Sequence, residues 1–204
     1  MLRSTFDRLV SYVGLLLAVL LLVVSGLAFW GASFASGTVS DQLSAQKIMM
    51  PTEQAMDGLS DADKAALKPF VGQALDNGDA AKAYADHYIL AHMNASGVST
   101  EGVGKVVTYN EASALCRAVP ADQQAASPIC ALRGSLFQGD TLRSMLLTAY
   151  AFGTIGKIAM VGAIVTLVGG IGMALLAVFG FNHARRAGKV SLDEQLAPAG
   201  KPTS

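Results

Sequence analysis

Two cysteines, Cys116 and Cys130, stand in the stretch ALCRAVPADQQAASPICAL, residues 114–132, and they are the chain's only thiols. Three chemistries are open to them: a structural bridge, part of a metal site, or a redox couple; free thiols are the fourth outcome. A metal site needs further ligands, and no histidine lies near in sequence. The spacing is not that of a CxxC couple. In an oxidising compartment two lone cysteines on either side of a loop turned by Pro120 and Pro128 favour one disulfide. Closing a loop of that size contributes about 3 kcal/mol by chain entropy. The choice between these outcomes therefore depends on which side of a membrane the segment faces.

The second stretch with chemical potential is YADHYILAHM, residues 84–93, which carries Tyr84, Asp86, His87, Tyr88 and His92. Asp86, His87 and His92 could serve as metal ligands or as a pH-sensitive patch. His87 and His92 are five apart, however, and two imidazoles share one metal from a helix only at a spacing of three or four. Packing of an amphipathic helix with solvated histidines accounts for the pattern more simply. Tyr84, His87, Tyr88, His92 and Tyr109 together form the candidate ligand or partner face. HExxH, GxSxG and phosphate-binding glycine loops are absent from the sequence, which carries no convincing carboxylate pair. The expectation is a non-enzymatic protein with no metal and no cofactor. Asn94-Ala95-Ser96 is a formal glycosylation sequon and is read as fortuitous.

The elements that position these residues follow from hydropathy. The chain has 204 residues, 52% hydrophobic and only 15% charged. LVSYVGLLLAVLLLVVSGLAFW, residues 9–30, and IAMVGAIVTLVGGIGMALLAVFGF, residues 158–181, carry no charge. Runs of about 20 apolar residues match the hydrocarbon thickness of about 30 Å, so both read as membrane spans. The first could instead be a signal peptide cleaved near SFAS, residues 33–36, but signal cores run only about 7–15 residues. Arg3 and Arg8 before the first span, and Arg185, Arg186 and Lys189 after the second, place both termini in the cytoplasm by the positive-inside rule. The intervening segment is acidic, with Asp57, Asp61, Asp63, Asp76 and Asp79, and is expected outside. The expected organisation is a cytoplasmic start, residues 1–8; a first span, 9–30; an extracytoplasmic helical domain, 31–154; a second span, 155–181; and a disordered cytoplasmic tail, 182–204. A basic inside and an acidic outside argue against nucleic acid as a partner.

Beyond the spans the periodicity stays helical. Phe34, Val39, Leu43 and Ile48 continue the first span outwards, and Leu132, Leu136, Leu142, Met145, Leu146, Ala149 and Phe152 lead into the second. Two such helices make a stalk, with a small helical head between them: an all-α two-span protein. In the head, Ser60 or Asp61 caps a helix that Pro69 ends, the Asn77-Gly78-Asp79 turn opens a helix that stops near Gly97, and a third helix begins near Tyr109. In the second span Gly162, Thr166, Gly170 and Ala174 form a ridge of small side chains, faced by Ser11, Gly14, Ala18 and Gly26 of the first. That ridge suits either the partner span of the same chain or another subunit. Lys157 is expected to snorkel to the headgroups.

TVSDQLSAQKI with Pro51 after it, NGDAAKAYADHYILAHM, VTYNEAS and LRGSLFQGDTLRSMLLTAYAFG resemble a group of actinobacterial two-span integral membrane proteins, some of which carry a ring-opening dioxygenase label. The resemblance implies a plasma-membrane protein with an exported domain. A dioxygenase would need an iron site, and the sequence shows no facial set of histidines and carboxylate for one. The function expected is that of an accessory or scaffold protein of the cell envelope, in contact with the lipid bilayer and with another membrane or envelope protein or itself. The alternative is an extracytoplasmic ligand-sensing module that signals through a partner.

Overall fold

The computed structural model describes the backbone of residues 2–196 and the side chains of residues 5–186. Helix α1 spans Leu2–Ala45. Short elements follow: α2 Asp61–Leu67, a 3-10 turn Lys68–Phe70, α3 Gly78–Ala83, a π-helix Tyr84–Ile89 and α4 Leu90–Ala95. Strands β1 Val98–Thr100 and β2 Gly104–Val106 precede α5, Tyr109–Ala118, and α6 runs from Pro128 to Leu196. Each apolar run thus lies within a longer unbroken helix, and both helices are long and apolar enough to cross a membrane. The tail expected to be disordered from residue 182 remains helical to Leu196; residues 197–204 lie outside those described.

The chain divides into two compact units, residues 1–33 with 158–204, and residues 34–157. In the first unit the buried positions of α1 are Ser11, Ala18, Ser25 and Ala32, and those of α6 include Ala163, Gly170, Ala177 and Ala184. Both rows repeat every seven positions, the period that keeps one seam facing its partner when two helices wind around each other. Small side chains let the backbones approach. Ser25 Oγ donates to the Ala163 carbonyl at 2.8 Å, Gly170 lies against Leu22, and a side-chain carbon at Gly180 would stand 2.3 Å from Ser11 Oγ. Tyr12 and Phe181 meet edge to face at 4.9 Å.

This seam differs from the ridge expected at Gly162, Thr166, Gly170 and Ala174. Gly170 is on it, Thr166 and Ala174 are half-buried beside it, and Gly162 is exposed, with space around it. On α1, Ser11, Gly14 and Ala18 face the partner, with Gly14 in contact range of Ala177, while Gly26 faces outwards. A four-residue repeat drifts around a helix by about 40° at each step, and a seven-residue repeat by only about 20°.

The second unit folds around Leu43, Met50, Leu67, Leu75 and Leu146, together with the alanines Ala80, Ala81, Ala83 and Ala85. Ser60 Oγ caps α2 by accepting from the Asp63 amide, and Pro69 sits in the 3-10 turn that ends it. Asn77 caps α3 by accepting from Ala80. Residues 48–50 pair with 73–75, Met50 N–H donating to Gln73 O at 2.8 Å and Leu75 N–H to Ile48 O at 2.9 Å. The described chain is not wholly α: β1 and β2 form an antiparallel hairpin with Val98 opposite Val106. Valine and threonine favour extended backbone there, and Gly102 and Gly104 supply the positive φ of 77° and 91° that the turn requires. Beneath it a second core gathers Met93, Val106, Ala112, Leu132 and Leu136. Cys116 and Cys130 are bridged, tying α5 to the first turn of α6.

Two outcomes are expected. Gly180→Leu, forced against Ser11, should destabilise the two-helix unit by about 1–3 kcal/mol, whereas Gly162→Leu should leave it unchanged, as thermal melting in mild detergent would show. Replacing both cysteines by serine should lower stability by about 3 kcal/mol, and equal melting of the oxidised and cysteine-free proteins would contradict a stabilising bridge.

Candidate functional site

The segment Gly78–Ala95 runs alongside α6 in the opposite direction, and three contacts fix its level. Gly78 backs onto Tyr150, where a side-chain carbon would stand 3.0 Å from the Tyr150 Cα. Arg143 Nε donates to the Ala85 carbonyl and its Nη2 to the Asp86 carboxylate, each at 3.1 Å. Met93 covers Gly139. Lys157 pairs with Asp79 rather than reaching only for headgroups, and Lys82 pairs with Asp86.

Arg143 sits where the helix widens. The Ala85 carbonyl accepts both from the Leu90 amide, five residues on, and from the guanidinium, so the π-turn leaves that carbonyl doubly bonded. Interruption of the ordinary i to i−4 ladder by a side chain is a recognised cause of such local widening. Burial alone would push the Asp86 carboxyl up, but Lys82 and Arg143 together outweigh it and hold it below the usual carboxylate range. Asp86 in turn raises the Lys82 ammonium, and burial raises the Tyr84 hydroxyl.

With the segment held at this level, Tyr84, Tyr88 and His92 form a row of rings, 5.0 Å from Tyr84 to Tyr88 and 4.4 Å from Tyr88 to His92. The row is one wall of an open groove of about 1190 Å³. Phe34, Thr38, Val39 and Gln42 of α1, with Gln46 just beyond its end, form a second wall, and Leu142, Met145, Ala149, Phe152 and Ile155 of α6 a third. No Asp, Glu, Lys or Arg is among the described residues that line it. Phe34, Met145 and Phe152 leave more than half of their surface exposed in it. Such a concave, mostly apolar surface with a few polar groups is the form that binding sites take.

The other two residues of the expected face lie elsewhere. His87 turns away and pairs through Nδ1 with the Asp63 carboxylate at 2.9 Å, and Tyr109 packs on Phe137 with ring centroids 5.8 Å apart. The Ser60 hydroxyl first, and then His87, hold Asp63 below its ordinary value. Asp86, His87 and His92 do not converge: Asp86 faces Arg143, His87 faces Asp63, and His92 Nδ1 lies 2.7 Å from the Tyr88 carbonyl. Among the described residues no three His, Cys, Asp or Glu side chains are placed to hold a metal ion. The walls from α1 and α6 were visible in sequence only as helical apolar spacing; the sign that they line a site is that the stripe is wider than one packing seam requires.

No protein-family profile, curated protein or solved structure matches the chain.

The Asp86 cluster generates a pH prediction. A carboxylate whose folded value is depressed adds stability above its unfolded value, near pH 4, and loses it as the pH falls from there through the folded value. Asp86→Asn should therefore melt lower at neutral pH, by about 1–3 kcal/mol because Lys82 and Arg143 lose the carboxylate they share, Arg143 keeping only the longer contact to Asp140, and should lose less stability than the wild type on acidification below pH 4. Parallel pH profiles of the two proteins would count against this assignment.

Proposed function

We propose that this chain is a non-enzymatic integral membrane protein of the cell envelope that works by binding. Its 34–157 unit lies outside the plasma membrane, both termini are cytoplasmic, and the groove receives an apolar molecule on behalf of a partner membrane protein. The groove is the observation that carries this reading: a concave site walled by Tyr84, Tyr88, Phe34 and Phe152, without Asp, Glu, Lys or Arg among its described lining residues, whose tyrosine-bearing helix is fixed to α6 by part-buried bonds from Arg143. The basic flanks of the apolar helices support the orientation, and the Cys116–Cys130 bridge fits an oxidising compartment. The resemblance to actinobacterial two-span proteins fits the same location.

A second reading, an accessory subunit that docks through its spans, is favoured by Gly162. This glycine faces away from α1 with open space around it, where another helix could approach. Gly162→Leu separates the two readings. It should release a stoichiometric partner if docking is through the spans, and it should leave the groove's contents untouched.

Two measurements test the proposal. A membrane-impermeant maleimide applied to intact cells should label a cysteine placed at Glu101 and not one at Arg186, and the reverse pattern would overturn the orientation. Native mass spectrometry of the protein extracted gently from its own membrane should show an added mass that Thr148→Trp, projecting into the groove, removes. An identical, unloaded mass in both proteins would remove the basis for a binding role.

A further inference from the structure

The groove is not uniform along its length. The three contacts that fix Gly78–Ala95 against α6 also order its lining. Gly78 sits at the level of Tyr150, Ala85 at Arg143, and Met93 at Gly139. Phe152 and Ile155 therefore mark one end, and His92 and Ser96 the other; α1 runs opposite to α6, with Ser25 against Ala163 and Gly14 against Ala177, so Phe34 belongs to the first end and Gln46 to the second. The first end is wholly hydrocarbon. The second presents an amide, an imidazole and a hydroxyl, with no Asp, Glu, Lys or Arg among the described lining residues.

The apolar end is also the end nearest the spans along the chain. Phe34 comes one helical turn after Trp30 on α1, and Ile155 less than a turn before Ile158 on α6. From Phe34 to Gln46, the residue after the end of α1, this wall is about 18 Å long at 1.5 Å per residue, close to the roughly 15 Å of hydrocarbon in one leaflet. The volume of about 1190 Å³ lies above the range of about 300–1,000 Å³ usual for compact small-molecule sites.

We propose that the groove holds a lipid-like amphiphile taken from the bilayer. Its hydrocarbon lies against Phe34, Phe152 and Ile155, and its uncharged or zwitterionic polar part is hydrogen-bonded at Gln46, His92 and Ser96. This rests on the reading above that the groove is the receiving site of a membrane-anchored protein. An anionic or cationic group would find no counter-charge on the groove walls. A hydroxyl-bearing head, or a zwitterion whose two charges compensate each other, needs no counter-charge; the Gln46 amide offers it a donor and an acceptor, and the Ser96 hydroxyl, which itself donates to the Met93 carbonyl, a further acceptor.

The test uses the full chain in phosphatidylcholine nanodiscs containing two photoreactive phosphatidylcholines, one with a diazirine at the end of an acyl chain and one with a diazirine in the headgroup. The tail probe should label the Phe152 region. The headgroup probe should label peptides containing Gln46, His92 or Ser96, which belong to the 34–157 unit and not to the spans. Thr38→Trp and Thr148→Trp, which fill the groove from opposite walls, should each cut the headgroup labelling at least about tenfold without changing labelling of the spans. Retention of the Cys116–Cys130 bridge and of the melting temperature identifies a folded variant, and the wild-type label positions decide the matter even where a variant misfolds.

Labelling confined to the spans, or a headgroup at the Phe34 end, would overturn the inference. Benzophenone, an uncharged photoreactive probe supplied from water, distinguishes the two levels of failure. If it labels the groove while the lipids do not, the ligand comes from outside the bilayer: the lipid is wrong and the binding role stands. If a co-purifying peptide is crosslinked in the groove, its occupant is a protein segment and the lipid proposal falls. If neither probe class enters, both readings fall.

Discussion

Close approach of helix backbones is the constraint on which both units depend. Between two apolar helices in hydrocarbon there is little hydrophobic gain from burying one against the other, so attraction must come from dispersion and from hydrogen bonds at short range. Ser11, Ala18, Ser25 and Ala32 facing Ala163, Gly170, Ala177 and Ala184 answer that need. Ser25 donates to a carbonyl across the seam, a contact that a larger residue at Ala163 or Ala18 would hold apart. The second unit applies the same rule in a different setting. Gly78 sits directly on Tyr150, and four alanines of residues 80–85 are buried on the core side.

Small residues in the core leave room for large ones at its edge. Ala80, Ala81, Ala83 and Ala85 are buried in the core, and the bulkier Tyr84 and Tyr88 pack against that core while also lining the groove. The π-turn assists this. At about 100° per residue an α-helix would drift by about 40° between positions four apart, and widening the turn offsets the drift, keeping Tyr84, Tyr88 and His92 in ring contact. Arg143 holds the widened turn from behind by meeting both the carbonyl that it exposes and the adjacent Asp86. The surface available for binding and the packing of the core thus share the same two tyrosines.

Much of this was legible in sequence where the signal is local. The two apolar runs, the Ser60 and Asn77 caps, the stop at Pro69 and the start of α5 at Tyr109 each follow from a few adjacent residues. The hairpin at Val98–Val106 was obscured because its strands are only three residues long, too short for alternation to show. The seven-residue seam competed with a four-residue one, since Gly170 belongs to both and glycine is frequent throughout α6. His87 looked like part of the aromatic row because an α-helical projection puts it beside Tyr84. The π-turn and the carboxylate of Asp63, 24 residues earlier, take it away. That pairing, like the reach of Arg143 to a helix 57 residues earlier, is set by tertiary packing and leaves no periodic trace.

A groove walled without formal charge also has a characteristic thermodynamics. Salt acts on recognition mainly by screening charges, and here the walls offer none to screen, so occupancy would be nearly indifferent to ionic strength. Discrimination among ligands would then rest on how much hydrocarbon each buries. At about 0.8 kcal/mol per methylene, each added carbon would change affinity about fourfold until the groove is filled. Among uncharged or zwitterionic amphiphiles the protein would measure chain length, with the distance between Phe34 and Gln46 as its ruler.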